Sequence, residues 1–181
     1  MKKIFVIIFI MFSFFNKASA NYTKLAHEFQ FKGIDGQPIN LGSYKEKVIV
    51  VVNVASRCGF TKQYDDLQNL WTNYKDNNLV VIGVPTNDFK QEPGSNKDIK
   101  DFCETNFNID FPITDKIAVK GSDANEVYKW AKNNFGSSAV PKWNFHKILI
   151  NSDGKVADTF ASITKPSSKK FLNFIEEQIK N

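Results

Sequence analysis

The chain has 181 residues, of which 42% are hydrophobic and 24% are charged, a composition typical of one compact globular domain. Its formal net charge of +5 comes largely from the first 20 residues, because Lys2, Lys3 and Lys17 are among its 24 basic side chains. With a single arginine, Arg57, and lysines spread along the sequence, the chain has no concentrated basic footprint, so we expect no nucleic-acid partner.

The N-terminal segment has the pattern of a secretory signal. Lys2 and Lys3 precede an apolar stretch over residues 4–15, and Ala18-Ser19-Ala20 provides the small residues of a cleavage site. A transmembrane helix needs about 20 apolar residues, so this stretch is too short to span a bilayer. A cleaved signal is therefore the favoured interpretation, and an uncleaved anchor is the alternative.

This pattern predicts a signal peptide over residues 1–20, cleaved after Ala20, and a mature domain over residues 21–181. We expect no stable membrane insertion of the mature domain. Export would place the protein in the periplasm if the source is a Gram-negative bacterium, and otherwise outside the cell.

The mature chain begins with a predicted β-hairpin. An Asp35-Gly36 turn separates two short extended runs, residues 29–31 and 37–41. Residues 47–54 are nearly all β-branched and apolar, which is typical of a central strand buried on both faces. Apolar residues at helical spacing over residues 61–77 then predict a helix.

The rest of the chain continues this alternation of strands and helices. The predicted elements are a buried strand, a helix opened by Ser95, a further helix, a hairpin and a closing helix, over residues 79–84, 95–107, 123–132, 148–160 and 167–180. The order predicts an α/β fold with a mixed central sheet flanked by helices. The two central strands direct their carboxyl ends to one rim, where functional crevices of open α/β sheets lie.

Cys58 is the most informative residue at this rim. It follows the first central strand at a point where a helix is about to begin, and a helix N-terminus can stabilise a thiolate. The position predicts redox chemistry, with a buried core cysteine as the alternative, and Cys103 is the one other cysteine. His27 and His146 have no partner at metal-ligand spacing, so we expect no metal.

Three motifs in this order resemble those of the glutathione peroxidase family, in its cysteine-containing type with a thioredoxin-like fold. They are residues 53–61 around Cys58, residues 91–96 and residues 143–147. The resemblance implies a peroxidase that reduces hydrogen peroxide and organic or lipid hydroperoxides. It also implies that no prosthetic cofactor is needed and that thioredoxin or glutathione is the thiol co-substrate.

The resemblance assigns catalytic roles to four positions. Cys58 would attack the peroxide, while Trp143 and Asn144 would donate hydrogen bonds to the thiolate and the departing oxygen. The fourth position is typically a glutamine in the family, but this chain has Asp88, in a loop one residue shorter. An ionised Asp88 can only accept hydrogen bonds and would repel a neighbouring thiolate.

Three arrangements would relieve this conflict. Asp88 could be held protonated, it could turn outward, or Gln91 or Asn87 could supply the missing donor. If Asp88 faces the thiolate, Asp88→Gln should speed the reaction. The alternative function follows from the same residue: a redox-sensing or thiol–disulfide binding protein in which Asp88 has weakened turnover.

The resemblance also implies a resolving role for Cys103. Plant and insect-like members carry on the same helix a cysteine that forms a disulfide with the oxidised peroxidatic cysteine. Cys103 lies one position earlier, a rotation of about 100° around a helix, and a small buried apolar residue is the alternative. The short segment between Trp130 and Trp143 resembles that of monomeric members, so we expect a monomer with an open active site.

Overall fold

The computed structural model describes residues 22–180, so the predicted signal peptide and its cleavage site lie outside the described residues. Within this range the strands are β1 (Gln30–Lys32), β2 (Pro38–Asn40), β3 (Val48–Val54), β4 (Leu79–Pro85), β5 (Lys147–Ile150) and β6 (Val156–Phe160). The α-helices are α1 (Gln63–Tyr74), α2 (Asn96–Phe107), α3 (Glu126–Phe135) and α4 (Lys169–Lys180). Each predicted strand and helix is confirmed in type and approximate position.

The central sheet has four strands in the order β4-β3-β5-β6. Strands β3 and β4 are parallel, whereas β5 is antiparallel to both β3 and β6. β1 and β2 form a separate antiparallel hairpin. Its turn contains Gly36 at φ 88°, and the Asp35 carboxylate accepts a hydrogen bond from the Gln37 N–H at 3.0 Å. The predicted mixed sheet and N-terminal hairpin are therefore confirmed.

Strand β3 is buried along its whole length because both faces of the sheet are covered. Side chains alternate between the faces of a strand, so Val50 and Val52 pack into an apolar cluster with α1, α2 and α4. Ile49 and Val51 pack into a second cluster with α3 on the other face. Burial on both faces explains why this strand is a continuous β-branched run rather than an alternating pattern.

Side-chain caps set the start of two helices. The Ser95 hydroxyl accepts a hydrogen bond from the Asp98 N–H at 3.2 Å, and the Asp98 carboxylate accepts one from the Ser95 N–H at 2.9 Å, which fixes the start of α2. The Asn125 side chain accepts from the Val127 N–H at 3.0 Å, so α3 begins after Asn125 rather than at residue 123.

The sheet brings the three sequence motifs to one edge. β3 and β4 end side by side, with Val54 paired to Pro85, so the loops that follow them start together. β5 runs in the opposite direction, and its first residue, Lys147, pairs with Val52 near the end of β3. The segment that precedes β5 is therefore delivered to the same rim as the two loops.

Leu67 tests how much the packing of α1 contributes to this arrangement. It is fully buried in the cluster that covers one face of the sheet, whereas Asn69 on the same helix is exposed. Leu67→Ala should lower the free energy of unfolding by roughly 2–5 kcal/mol, because it removes buried apolar volume and leaves a cavity. Urea denaturation measures the change. Asn69→Ala is the matched control, and an equal effect of both substitutions would contradict this packing.

Candidate active site

Asn53, near the end of β3, joins that strand to the segment before β5. Its side-chain amide donates to the backbone carbonyl of Trp143 at 3.2 Å and to the Asn144 side-chain oxygen at 3.5 Å. The Phe145 N–H donates to the Asn53 carbonyl in return. Asn53 and Asn144 are both fully buried, so the position of Asn144 is set by hydrogen bonds inside the protein.

Cys58 lies in a tight turn that separates β3 from α1. Its N–H donates to the Thr61 hydroxyl at 3.0 Å, and the Thr61 hydroxyl donates back to backbone carbonyls in the turn. Cys58 is 8% exposed, and its Sγ accepts a hydrogen bond from the Phe60 N–H at 3.4 Å. Because α1 begins only at Gln63, the nearest backbone donor to the sulfur belongs to this turn and not to the helix.

Gln91 connects the Cys58 loop to Asn144. Its backbone carbonyl accepts a hydrogen bond from the N–H of Arg57, the residue before Cys58, at 3.0 Å. Its side-chain oxygen accepts from the Asn144 amide at 2.9 Å. Since the amide oxygen of Gln91 is used by Asn144, its NH₂ group is the end that can donate to a reacting atom.

Glu92 holds the loop that leads to Cys58 through hydrogen bonds to Ser56. The side chain is buried, and one carboxylate oxygen accepts from the Ser56 N–H at 2.7 Å and from the Ser56 hydroxyl at 2.9 Å. Burial raises the pKa of Glu92, while the Ser56 hydrogen bonds and the charges of Lys116 and Arg57 oppose that rise. The Glu92 N–H also donates to the Asn87 side chain at 3.0 Å, which closes the loop on itself.

Asp88 makes its side-chain hydrogen bonds to a different segment. Its carboxylate accepts from the backbone N–H groups of Val119 and Lys120, at 2.7 and 3.1 Å. The structure therefore brings Gln91 to Asn144 and turns Asp88 to the 119–120 backbone. Asp88 is held by backbone amides rather than turned outward to solvent, and of the two candidate donors Gln91 is the one that contacts Asn144.

Trp143 presents its indole at the surface of the site. The residue is 42% exposed, and its ring centroid lies 5.4 Å from that of Phe89. Phe89 belongs to the same loop as Asp88 and Gln91. The exposed indole and the buried Asn144 amide thus lie on adjacent residues. The indole is open to an incoming molecule, whereas the Asn144 amide is held by hydrogen bonds inside the protein.

Cys103 is fully buried on α2, in the same apolar cluster as Cys58. Burial raises the pKa of the Cys103 thiol to about 11, against the influence of the neighbouring Tyr64 hydroxyl. That hydroxyl lies close enough to act on the thiol but forms no hydrogen bond of ordinary geometry. Neither cysteine is in a disulfide in this structure.

The third motif also carries a buried lysine. Lys147 is fully buried, and its ammonium donates to the Gln63 side chain and to the Thr164 carbonyl, each at 2.6 Å. Burial lowers the pKa of Lys147 to about 7, with Asp66 opposing the shift. Burial and the charge of Lys147 lower the pKa of His146 to about 4, so this imidazole is neutral at pH 7. Sequence reasoning quoted Lys147 as the last residue of the third motif but missed its burial.

Residues 22–180 contain no group of three His, Cys, Asp or Glu side chains that could hold a metal ion. In the same range no helix combines the length and the apolar character needed to cross a membrane.

Comparisons with known proteins show which family the chain belongs to. The family model described as glutathione peroxidase matches residues 26–132. A glutathione peroxidase-like peroxiredoxin 2 of Saccharomyces cerevisiae is 44% identical over 78% of this chain and 90% of its own length. A hydroperoxy fatty acid reductase of Synechocystis is 39% identical over 82% of this chain and 92% of its own.

A solved structure described as Trgpx in apo form has 36% sequence identity and a TM-score of 0.70, covering 88% of this chain and 97% of that one. The fold is thioredoxin-like.

The buried Lys147 predicts a pH-dependent stability. In the unfolded chain a lysine titrates near pH 10.4, so between about pH 7 and pH 10 the unfolded state binds more protons and the free energy of unfolding rises with pH. The free energy of unfolding of wild type, relative to that of Lys147→Met, should therefore increase by up to roughly 1.4 kcal/mol per pH unit between pH 7 and pH 9.

Denaturation of both proteins at several pH values measures this difference. It should stay flat below pH 6, where Lys147 is charged in both states. The exposed Lys45 provides a control, and Lys45→Met should show no such trend. A difference for Lys147→Met that does not change with pH would contradict the assignment.

Proposed function

We propose that this chain, which belongs to the glutathione peroxidase family, is an exported peroxidase that reduces hydrogen peroxide and organic hydroperoxides through Cys58. Family membership makes the protein a thiol peroxidase, an oxidoreductase with peroxide as its electron acceptor. The observation that carries the proposal for Cys58 is its place in a turn held beside the bonded pair of Gln91 and Asn144. The signal pattern over residues 1–20 supports export.

The first step is an attack of the Cys58 thiolate on one peroxide oxygen. The sulfur–oxygen bond forms as the oxygen–oxygen bond breaks, and the leaving oxygen takes up a proton to become water or an alcohol. Cys58 is oxidised by two electrons to a sulfenic acid. Negative charge develops on the leaving oxygen, so donors fixed in advance at that point lower the barrier.

Gln91 and Asn144 are the donor pair that the geometry supports best. Gln91 is tied through its backbone to Arg57 and through its side chain to Asn144. A donor held at two points needs no reorientation when the peroxide arrives. Gln91 therefore takes the role that the family resemblance gave to position 88, and the indole of Trp143 completes the set of donors.

Asp88 no longer favours the sensor alternative. That alternative depended on a carboxylate beside the thiolate, and the Asp88 carboxylate is engaged by the N–H groups of Val119 and Lys120. Peroxidase turnover remains the function with a specific observation in its support.

A second step must return Cys58 to the thiol. Either Cys103 attacks the sulfenic acid, releasing water and forming a disulfide, or an external thiol does so. Because Cys103 is fully buried with its pKa at about 11, its attack requires α2 to open locally. The two electrons then come from a thioredoxin-like dithiol or from two glutathione molecules. We propose that the protein acts as a monomer, without a prosthetic cofactor.

Substitution of the two cysteines tests the proposed function. Cys58→Ser should abolish peroxide consumption with either thioredoxin or glutathione, because the reacting sulfur is lost. Cys103→Ser should retain consumption with an external monothiol. Peroxide consumption by Cys58→Ser at the wild-type rate would overturn the proposal.

Gln91→Ala should lower kcat/KM for hydrogen peroxide roughly a hundredfold, by analogy with the loss of a single oxyanion donor. Asp88→Asn should stay within about twofold of wild type, because an amide oxygen at this position can still accept from the 119–120 backbone. The opposite ranking of these two variants in a steady-state assay would restore Asp88 to the catalytic set.

Mass spectrometry after one equivalent of peroxide tests Cys103. If Cys103 resolves the sulfenic acid, the wild-type chain loses two hydrogens and Cys103→Ser instead gains one oxygen at Cys58. A stable added oxygen in the wild-type chain would contradict the resolving role. Urea at a concentration below the unfolding transition should speed disulfide formation, since it favours local opening of α2.

A further inference from the structure

We propose that a lysine-lined cavity beside the site binds a carboxylate carried by a small co-substrate, and that Asp88 positions the lysine at its entrance. The cavity has a volume of about 340 Å³ and lies between α3 and the segment around Val119. Its lining includes Lys120, Lys129 and Lys132. The proposal rests on the peroxidase function proposed above.

The charges of this cavity are unbalanced. Among the residues that line it there is no acidic side chain, and its three lysines form no ion pair within the described part of the chain. Lys129 and Lys132 are three positions apart on α3, so they share one side of the helix, and Lys120 lies on the opposing segment. Like charges gathered around a concave surface favour an anion at its centre.

Asp88 acts on this cavity through two of its lining residues, Tyr128 and Lys120. Burial raises the pKa of Tyr128, which lines the cavity, and the charge of Asp88 adds to that rise. Its carboxylate accepts from the N–H groups of Val119 and Lys120, and this fixes the backbone from which the Lys120 side chain leaves. The lining itself carries three lysines and no acidic side chain.

The Tyr128 hydroxyl is a buried group without a hydrogen-bond partner among residues 22–180. The residue is 3% exposed. A buried donor without an acceptor is costly in a folded protein. Tyr128 thus places an unsatisfied buried donor in a residue of the cavity wall.

Lys120 connects the cavity to the reaction site. Its ammonium lies 4.3 Å from the centre of the Phe89 ring, and Phe89 packs against the exposed indole of Trp143. A molecule whose carboxylate is held by Lys120 would therefore lie along this aromatic pair at the mouth of the site. The same residue that departs from the family glutamine, Asp88, sets the position of this lysine.

Two co-substrates of the reaction can carry such a carboxylate. One is a hydroperoxide derived from a free fatty acid, and the other is a peptide thiol such as glutathione. The chemistry recognised is the same, so separate kinetic arms must distinguish them.

The test compares wild type with Lys120→Gln, using the hydroperoxide of linoleic acid, its methyl ester and hydrogen peroxide, with dithiothreitol as an uncharged reductant. A second arm varies glutathione at a fixed concentration of hydrogen peroxide. We expect Lys120→Gln to raise KM about three- to tenfold for the acid hydroperoxide, for glutathione or for both, with kcat unchanged. The arm in which KM rises identifies the source of the carboxylate.

Lys120→Arg should restore the wild-type KM, and added salt should weaken the selectivity for the acid over the ester. Lys45→Gln removes the same charge before the first residue of β3, at the far end of that strand from the site, and should change nothing. Equal effects of Lys120→Gln on acid, ester and hydrogen peroxide, or no effect in either arm, would overturn the carboxylate site. If the wild-type protein does not reduce hydrogen peroxide with dithiothreitol, that result would instead count against the peroxidase function.

Discussion

Two adjacent residues, Gln91 and Glu92, hold the loop after β4 against the loop after β3, and the arrangement of the site depends on this attachment. Gln91 accepts from the Arg57 N–H, and Glu92 accepts from the N–H and hydroxyl of Ser56. Both contacts fall immediately before Cys58, so they set the path of the chain into the turn that carries the sulfur. Without them, parallel pairing would still align the ends of β3 and β4 but would not tie the Cys58 loop to Gln91, the partner of the Asn144 amide.

The protein buries two ionisable side chains to build this rim. Glu92 fixes the Cys58 loop, and Lys147 joins the first turn of α1 to the Thr164 carbonyl. Burial of a charge costs free energy unless hydrogen bonds replace water. The raised pKa of Glu92 and the lowered pKa of Lys147 both record that cost, and the two groups bond to Ser56 and Gln63, at the two ends of the segment that leads from β3 to α1. Rigidity at the reaction site is thus obtained at the expense of stability.

Much of the fold could be predicted because its signals are local. The β-branched run of β3, the Asp35-Gly36 turn and the cap at Ser95 each depend on short-range sterics or hydrogen bonds that the sequence states directly. The direction of the Asp88 side chain could not be predicted in this way. It depends on the N–H groups of Val119 and Lys120, which are brought near only by the tertiary fold.

The same limit applies to the donor at the site. The sequence named Gln91 as one of two candidates, but its choice over Asn87 follows from a hydrogen bond to Asn144, more than fifty positions away in the chain. The start of α1 was predicted too early because the Thr61 hydroxyl stabilises a turn that competes with helix formation. Local patterns thus locate the motifs, and contacts between them decide which side chains act.

A double-mutant cycle on Gln91 and Asn144 tests most directly whether these two amides act as one unit. The quantity to measure is the single-turnover rate of hydrogen peroxide with reduced protein, for Gln91→Ala, Asn144→Ala and the double variant, all in a Cys103→Ser background. If the 2.9 Å bond between them organises the donors, the double variant should be little slower than Asn144→Ala alone. Rate losses that multiply would show that the two residues act independently, and would contradict the account.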